Sequence, residues 1–200
     1  SEKDAAFVLE MGMRGFGQIE RLSRVAEPDI AVITNVGQAH IGILGCRENI
    51  AKAKSEITNN LKSDGVVIIP FGDNLLEKAL REKWTGRVIR VAIKGYSLDW
   101  LEYHDEHFAV EDIEPDYISH IDMQSNLISF KGIKLKLPLE GRHNAMNFLI
   151  ALAVATELGV SIKNLNKLNI NMPLGRNKLV DYGQYLVLDE TYNASPESVI

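Results

Sequence analysis

Short apolar runs alternate with helix-like segments along the first half of the chain. The runs AAFVL, DIAVITNV, GVVIIP and GRVIRVAI lie between residues 5 and 93. In the segments between them, apolar residues recur every three or four positions, which is typical of amphipathic helices. Because alternation of strand and helix favours parallel strands covered on both faces, the sequence predicts an α/β fold with a doubly wound, mostly parallel sheet.

The pattern changes in the second half of the chain. Apolar residues stand in short alternating runs between residues 97 and 139, and Lys131-Gly132 separates the two halves of LISFKGIKLKL, which predicts a hairpin. A long helix is expected in HNAMNFLIALAVATELG, with Gly159 closing it. We therefore expect a small antiparallel annex at residues 97–139, followed by a helix.

Composition and charge limit the function classes. The 200 residues are 46% hydrophobic and 24% charged, as in ordinary globular proteins. The net charge of −5 argues against nucleic-acid binding, although backbone N–H groups can still bind a phosphate locally. A single cysteine excludes an internal disulfide framework, and no apolar run approaches the roughly 20 residues that cross a bilayer. We expect a soluble, cytoplasmic monomer that does not enter membranes.

Two polar residues follow the first two predicted strands. Glu10 comes after AAFVL and His40 after DIAVITNV. Ligands of open α/β sheets bind beyond the carboxyl ends of the strands, so both side chains are expected on one rim. A carboxylate and an imidazole there could hold Mg²⁺ or Mn²⁺ when phosphates complete the shell. The alternative is a helix-capping glutamate and a histidine bonded to loop carbonyls, and the spacing leaves both open.

Lys54 stands on the apolar face of its predicted helix. It follows Ile50 by four positions and precedes Ile57 by three, which places all three on one side of the helix. A lysine in that position must extend its amine to solvent, find an anionic partner or lose its charge.

Two other segments have features of a phosphate or nucleotide site. The glycine-rich GMRGFG lacks the spacing of G-x-G-x-x-G, and no G-x-x-x-x-G-K-[ST] occurs in the chain, so a tight turn is expected there. Asn144 and Asn147 lie at the start of the long helix, where one of them is expected to cap it and where anions are also favoured.

The last part of the chain adds four candidates. Arg176 lies in a glycine-flanked linker and could hold a phosphate, or be solvated. Asp189, Glu190 and Tyr192 cluster where the last predicted strand ends, and turn chemistry explains part of that cluster.

As an ordered set, these motifs resemble the Mur ligase family. The matching segments, in the family's order, are VLEMGMRGFGQIERL, PDIAVITNVGQAHIGILGCRENIAKAKSEI, GRHNAMNFLIALAVA, PLGRNKLV and LDETYNASPESV. The forms EMGMRG, TNVGQAH and YNASP are typical of the member that adds D-alanyl-D-alanine to UDP-N-acetylmuramoyl-tripeptide. The resemblance implies a central ATP-binding domain at residues 1–172, then a linker and the start of a C-terminal domain at residues 173–200.

The resemblance also implies roles for the residues at the rim. Glu10 and His40 match residues that serve magnesium ions bridging ATP and an acyl phosphate. Lys54 matches a lysine that many members carbamylate and use to place a metal. Catalytic roles are thus implied for Lys54, His40 and Arg176.

The nucleotide contacts implied by the resemblance lie further along the chain. Asn144 and Asn147 match residues that recognise adenine, and Arg176 matches an arginine that contacts phosphate. Asp189 and Glu190 lie where the family binds ribose, and which acid acts is left open because relatives have two aspartates there. Tyr192 is expected in the same nucleotide site.

The reaction implied by the resemblance is ATP- and Mg²⁺-dependent amide formation in peptidoglycan precursor synthesis. The partners would be UDP-N-acetylmuramoyl-tripeptide and D-alanyl-D-alanine. The family's phosphate loop should precede Ser1 and most of its C-terminal domain should follow Ile200, so we expect the chain alone to be inactive. The alternatives are a folylpolyglutamate-synthase-like ligase and a non-catalytic nucleotide-binding or scaffold module.

Overall fold

The computed structural model describes residues 6–94, 113–168, 170 and 178–189. The α-helices are α1 Gln18–Ala26, α2 Ile41–Leu44, α3 Arg47–Ser55, α4 Asn74–Arg81 and α5 Arg142–Glu157. Two 3-10 helices lie at Glu56–Asn60 and Ile162–Lys167. The strands are β1 Ile30–Val32, β2 Val66–Pro70, β3 Arg87–Ile93, β4 Tyr117–Asp122, β5 Leu127–Phe130, β6 Ile133–Lys136, β7 Lys178–Asp181 and β8 Leu186–Asp189.

Six strands form one mixed sheet in chain order, from β1 to β6. The first four strands are parallel neighbours, and β4, β5 and β6 are antiparallel neighbours. The predicted α/β fold with a mostly parallel sheet and an antiparallel annex is therefore confirmed. The annex continues the main sheet, because β4 pairs alongside β3, and is not a separate layer. A second sheet consists of β7 and β8.

Helices cover both faces of the parallel strands. All five residues of β2 are buried, and alternate side chains enter two different hydrophobic clusters. Val66 and Ile68 pack in the cluster that contains α5, whereas Val67 and Ile69 pack in the cluster that contains α3 and α4. Because neighbouring residues of a strand point to opposite faces, this division shows that the sheet is covered on both sides.

Two locally encoded predictions are confirmed. Lys131 and Gly132 both have positive φ, 48° and 77°, and connect β5 to β6 through the pair Phe130 and Ile133, as expected for a two-residue hairpin. Helix α5 is followed by Gly159 at φ 68°, where the missing side chain allows the left-handed conformation. No helix in the described ranges is long and apolar enough to span a membrane.

The prediction of a first strand at AAFVL is wrong for the described residues 6–9. Phe7, Val8 and Leu9 are 62% to 92% exposed and belong to no strand. An extended run forms a strand only when a neighbour pairs with its backbone, and among the described residues β1, the edge strand nearest in sequence, pairs only with β2. The predicted start of the annex and most of the predicted linker lie outside the described residues.

Candidate functional site

The carboxyl ends of β1 and β2 point the same way because the two strands are parallel. His40 lies in the connection that follows β1 and adopts the left-handed conformation at φ 67°, directly before α2. Its carbonyl accepts hydrogen bonds from the backbone N–H groups of Ile43 and Leu44, and the residue is exposed. His40 therefore lies outside the described core, on the segment that connects β1 to α2.

Glu10 lies on an exposed, irregular segment. Since no strand precedes it among the described residues, its place on the rim stays a prediction. The alternative of a capping glutamate at Glu10 is wrong for the described helices. The nearest helix, α1, begins after Gly17, and the N–H of Gly17 donates to the carboxylate of Glu56.

Lys54 extends from the apolar face of α3 to the end of β1. Its Nζ donates to the backbone oxygen of Asn35 at 2.6 Å and to the Asn35 Oδ1 at 3.3 Å. Burial lowers the pKa of this amine, and the opposite charge of Asp73 works against that shift. Of the three alternatives for a lysine on this face, the structure supports the nearby anion, since Asp73 interacts electrostatically with the amine; the hydrogen bonds themselves go to neutral oxygens of Asn35.

Asp73 is a candidate that the sequence analysis missed. It is 1% exposed and caps α4, with Oδ1 accepting a hydrogen bond from the Leu76 N–H at 3.1 Å. Its Oδ2 is buried without a hydrogen-bond partner in the described part of the chain. Burial raises the pKa of this carboxyl, and the Leu76 N–H, Arg47 and Lys54 lower it. This oxygen is enclosed by the protein and lacks a hydrogen-bond donor, which is uncommon for a buried polar atom.

A signal for Asp73 was present in the sequence. It stands three positions after the last residue of the buried strand GVVIIP, and His40 stands four positions after the end of DIAVITNV. The rule that directs attention to polar residues after parallel strands applies to both positions.

Four polar residues form what we name the rim cluster: Asn35, Arg47, Lys54 and Asp73. Arg47 Nη2 donates to the carbonyl of Val36 at 3.0 Å, and both Arg47 and Lys54 interact electrostatically with Asp73. The cluster has two basic side chains and one acid, although the chain as a whole is acidic. Two basic side chains beside one acid make this part of the rim locally basic, which suits an anion such as a phosphate.

The glycine-rich segment forms a tight turn, as predicted. The N–H of Gly17 donates to Oε1 and Oε2 of Glu56, at 2.8 Å and 2.9 Å. The start of α1 is thus occupied by a carboxylate of the protein, so this turn offers no free helix terminus for a phosphate.

The start of α5 differs from the expected cap. Gly141 is the N-cap and no side chain caps it, so the prediction that an asparagine does so is wrong. Asn144 instead uses its Nδ2 to donate to the Glu140 carbonyl at 2.6 Å, and Asn147 is exposed. Adenine recognition by these two residues stays a prediction.

The remaining candidates lie near the end of the chain. Asp189 is the last residue of β8, paired across the hairpin with Lys178, and is half-buried. Arg176, Glu190 and Tyr192 lie outside the described residues.

The described residues would bind Mg²⁺ only at an open site, in which waters and phosphates supply most of the ligands. Across the ranges that the structure describes, no three His, Cys, Asp or Glu side chains come together as a cage for a metal. Mg²⁺ is commonly bound by one or two carboxylates, with waters and substrate phosphates completing six positions. The Glu10 carboxylate and the His40 imidazole are both exposed and are donors of the type that such an open site uses; that they share one ion stays a prediction.

Comparison with known proteins shows which family the chain matches. Residues 1–155 match the model of the Mur ligase middle domain. A UDP-N-acetylmuramoyl-tripeptide–D-alanyl-D-alanine ligase from Synechocystis sp. is 37% identical over 195 residues, which cover 96% of this chain and 38% of the relative. The chain thus spans well under half of the length of that relative.

Two solved structures have the same fold over 96% of the chain. MurF from Acinetobacter baumannii superimposes with a TM-score of 0.75 at 28% identity, with 40% of that protein covered. MurF ligase from Thermotoga maritima, solved in complex with ADP, superimposes with a TM-score of 0.69 at 27% identity, with 42% covered.

Proposed function

The chain belongs to the Mur ligase family, whose middle domain matches residues 1–155, and from that premise we propose that it is the central part of an ATP-dependent amide ligase. The proposed activity is the addition of D-alanyl-D-alanine to UDP-N-acetylmuramoyl-tripeptide in peptidoglycan precursor synthesis. The similarity to a ligase named for this reaction, over 96% of the chain, supports the choice of substrates.

The position of Lys54 is the observation that carries the proposal. A lysine on an apolar helix face is held at the rim by Asn35 and faces the buried Asp73. Such a group costs stability, and a reason for keeping it there is a ligand that needs it. In the proposal Lys54 acts in catalysis after carbamylation, which would convert the amine into an anionic metal ligand.

Glu10 and His40 would hold magnesium at the rim, and Arg176 would contact the transferred phosphate. When bound, Mg²⁺ supplies positive charge that offsets repulsion between a substrate carboxylate and ATP phosphates. The substrate carboxylate attacks the γ-phosphate to give an acyl phosphate and ADP. The amine of D-alanyl-D-alanine then displaces phosphate and forms the amide.

Nucleotide binding is proposed for a second group of residues. Asn144 and Asn147 would recognise adenine from the start of α5, and Asp189 or Glu190 would contact the ribose, with Tyr192 in the same site. The ADP complex of the related ligase from Thermotoga maritima supports a nucleotide site on this fold. We propose that the protein acts as a cytoplasmic monomer.

The test is mass-spectrometric product detection with the full-length protein that contains this chain. The reaction would hold Mg-ATP, UDP-N-acetylmuramoyl-tripeptide and D-alanyl-D-alanine, with Glu10→Gln and His40→Ala as variants. We expect a UDP-linked pentapeptide from the unmodified protein and none from either variant. Absence of product together with tight Mg-ATP binding would contradict the proposal and favour another acceptor, such as a folate, or a scaffold.

A second experiment concerns the 200-residue chain alone. It has no G-x-x-x-x-G-K-[ST] segment, so we expect it neither to hydrolyse ATP nor to join the substrates. Metal-dependent release of ADP by the pure chain, measured by chromatography, would contradict this expectation.

A further inference from the structure

Glu56 is a buried acid that binds backbone far away in sequence. Its carboxylate accepts the Gly17 N–H at 2.8 Å and 2.9 Å, across 39 residues, and the Glu20 N–H at 3.5 Å. The residue is 5% exposed. Gly17 is the N-cap of α1 and makes no side-chain cap of its own, so Glu56 supplies the missing acceptor from another part of the chain.

Glu56 holds the turn at residues 16–17, and the irregular segment that contains Glu10 leads into that turn. Between Glu10 and Gly17 the chain has no regular structure until the turn, and Glu10 is exposed. Three residues hold this segment against the rest of the protein: Met11 and Met13, which pack in a hydrophobic cluster, and Gly17, which binds Glu56. The position of Glu10 therefore depends on these three residues, because its own side chain is not held by the core.

Glu56 also lies close in sequence to Lys54 of the rim cluster. It directly follows α3 and comes two residues after Lys54 in the chain. Lys54 contacts Asn35 at the end of β1, whereas Glu56 contacts Gly17 at the end of the Glu10 segment. Residues 54–56 thus contact both the segment after β1, which leads to His40, and the segment that contains Glu10. His40 and Glu10 are the two residues proposed to hold magnesium.

A neighbouring residue, Asn60, also binds α1 and provides a comparison for Glu56. Asn60 Nδ2 donates to the Ser23 Oγ at 3.0 Å and to the Glu20 carbonyl at 3.3 Å. Asn60 therefore ties the middle of α1 to the 3-10 helix Glu56–Asn60 with a neutral side chain. Glu56 binds the first residue before α1 instead, so its contact reaches the Glu10 segment and the Asn60 contact does not.

We propose that Glu56 is a positioning residue for the ligase reaction: it sets Glu10 relative to Lys54 by binding the Gly17 N–H. The proposal rests on the proposed function, in which Glu10 and Lys54 serve the metal. Glu56 itself touches no substrate in it. Removing a group that orients a metal ligand commonly weakens metal binding, and Glu56 would act in this way through the backbone between Gly17 and Glu10.

The test compares Glu56→Gln with Asn60→Ala in the full-length protein. Gln keeps the size of the side chain but loses the charge and one acceptor. We expect Glu56→Gln to raise the Mg²⁺ concentration for half-maximal activity by about tenfold, with a smaller change in kcat. Asn60→Ala should leave the Mg²⁺ requirement unchanged although it also loosens α1. Equal shifts in the two variants, or no shift in Glu56→Gln, would overturn the proposal.

A readout without catalysis separates this proposal from the ligase assignment. Backbone amide hydrogen exchange is followed across residues 10–20, and Mn²⁺ binding in the presence of ADP is followed by electron paramagnetic resonance. Glu56→Gln should speed exchange in the Glu10 segment and weaken Mn²⁺ binding, whereas Asn60→Ala should speed exchange within α1 only. Glu56→Asp, which keeps the charge on a shorter side chain, should fall between Gln and the unmodified protein.

The two proposals fail in different ways. If the unmodified protein makes no pentapeptide but the exchange pattern differs between the two variants as expected, the ligase assignment is wrong and the positioning by Glu56 stands. If exchange changes only within α1 in both variants, Glu56 is a stabilising contact and the positioning proposal is wrong, whatever the activity.

Discussion

Helix α4 carries two buried carboxylates that the fold treats differently. Glu77 is 3% exposed, and its two oxygens bind Arg90 Nε at 2.6 Å and Arg90 Nη2 at 2.9 Å. Asp73, four positions earlier, is 1% exposed, yet its Oδ2 has no hydrogen-bond partner among the described residues. Glu77 joins α4 to β3, whereas Asp73 lies at the rim where β2 ends.

The difference separates an acid whose two oxygens are bonded within the fold from one with an oxygen that no described group satisfies. A bidentate carboxylate–guanidinium pair satisfies both partners, and the hydrogen bond from Arg90 to Glu77 raises the pKa of Arg90. A buried oxygen without a partner costs stability, and its position at a strand rim leads us to predict that Asp73 supports ligand binding. Removing the Glu77 carboxylate should therefore mainly lower stability, whereas removing the Asp73 carboxylate should mainly weaken ligand binding.

The largest loss of stability is expected from Glu77→Ala. This change leaves the Arg90 guanidinium without its partner inside the protein and should cost about 3 kcal/mol of unfolding free energy. Urea denaturation at neutral pH would measure it. The matched control is Glu20→Ala, which removes an exposed pair with Arg24 at 2.7 Å and should cost about 0.5 kcal/mol. Similar losses in the two variants would remove the distinction between the buried and the exposed pair.

Asp73→Ala is expected to have a smaller effect on stability. It removes the cap of α4, the hydrogen bond from Leu76 N–H to Oδ1, and should cost about 1 kcal/mol. Asp73→Asn keeps a capping oxygen and should be close to neutral in urea denaturation. Both changes should weaken binding of Mg-ATP to the full-length protein, as measured by calorimetry. Unchanged binding in both would make Asp73 a helix cap only.

The pH dependence of stability should distinguish Asp73 further. Burial raises the folded-state pKa of its carboxyl above the ordinary value, so folding disfavours the ionised form. Relative to Asp73→Asn, the unmodified protein should be most stable at low pH and lose that advantage as the pH rises through the folded-state pKa. Urea denaturation of both proteins at about pH 4 and about pH 7 would show the trend. A relative stability that rises with pH would contradict the assigned sign.

Lys54→Met should change stability least. Burial lowers the pKa of Lys54, so the charged amine is disfavoured in the fold, and its removal offsets the lost contact with Asn35. Any gain at neutral pH should shrink as the pH rises towards the ordinary pKa of lysine, because the unmodified amine then loses its charge in both states. Urea denaturation at about pH 7 and about pH 10 tests this. A gain that grows with pH would contradict it.

The regular elements of this protein could be predicted because their signals are local. The buried strand β2 is a continuous apolar run, and the two-residue hairpin at Lys131-Gly132 needs only two residues that accept positive φ. The placement of Lys54 on an apolar helix face also follows from helical spacing alone. Each of these features depends on neighbours within a few residues, so the linear pattern was sufficient.

The contacts that set the site are determined by tertiary structure. Residues 6–9 have the pattern of a strand but form none, because a strand requires a partner whose position the pattern does not contain. The bond from Gly17 to Glu56 joins residues 39 positions apart, and the unpartnered oxygen of Asp73 results from how α3 and α4 pack at the rim. The sequence by itself determined the fold class and the candidate residues; burial and long-range hydrogen bonding decided which of them are held, paired or left available, because both depend on groups brought together only by folding.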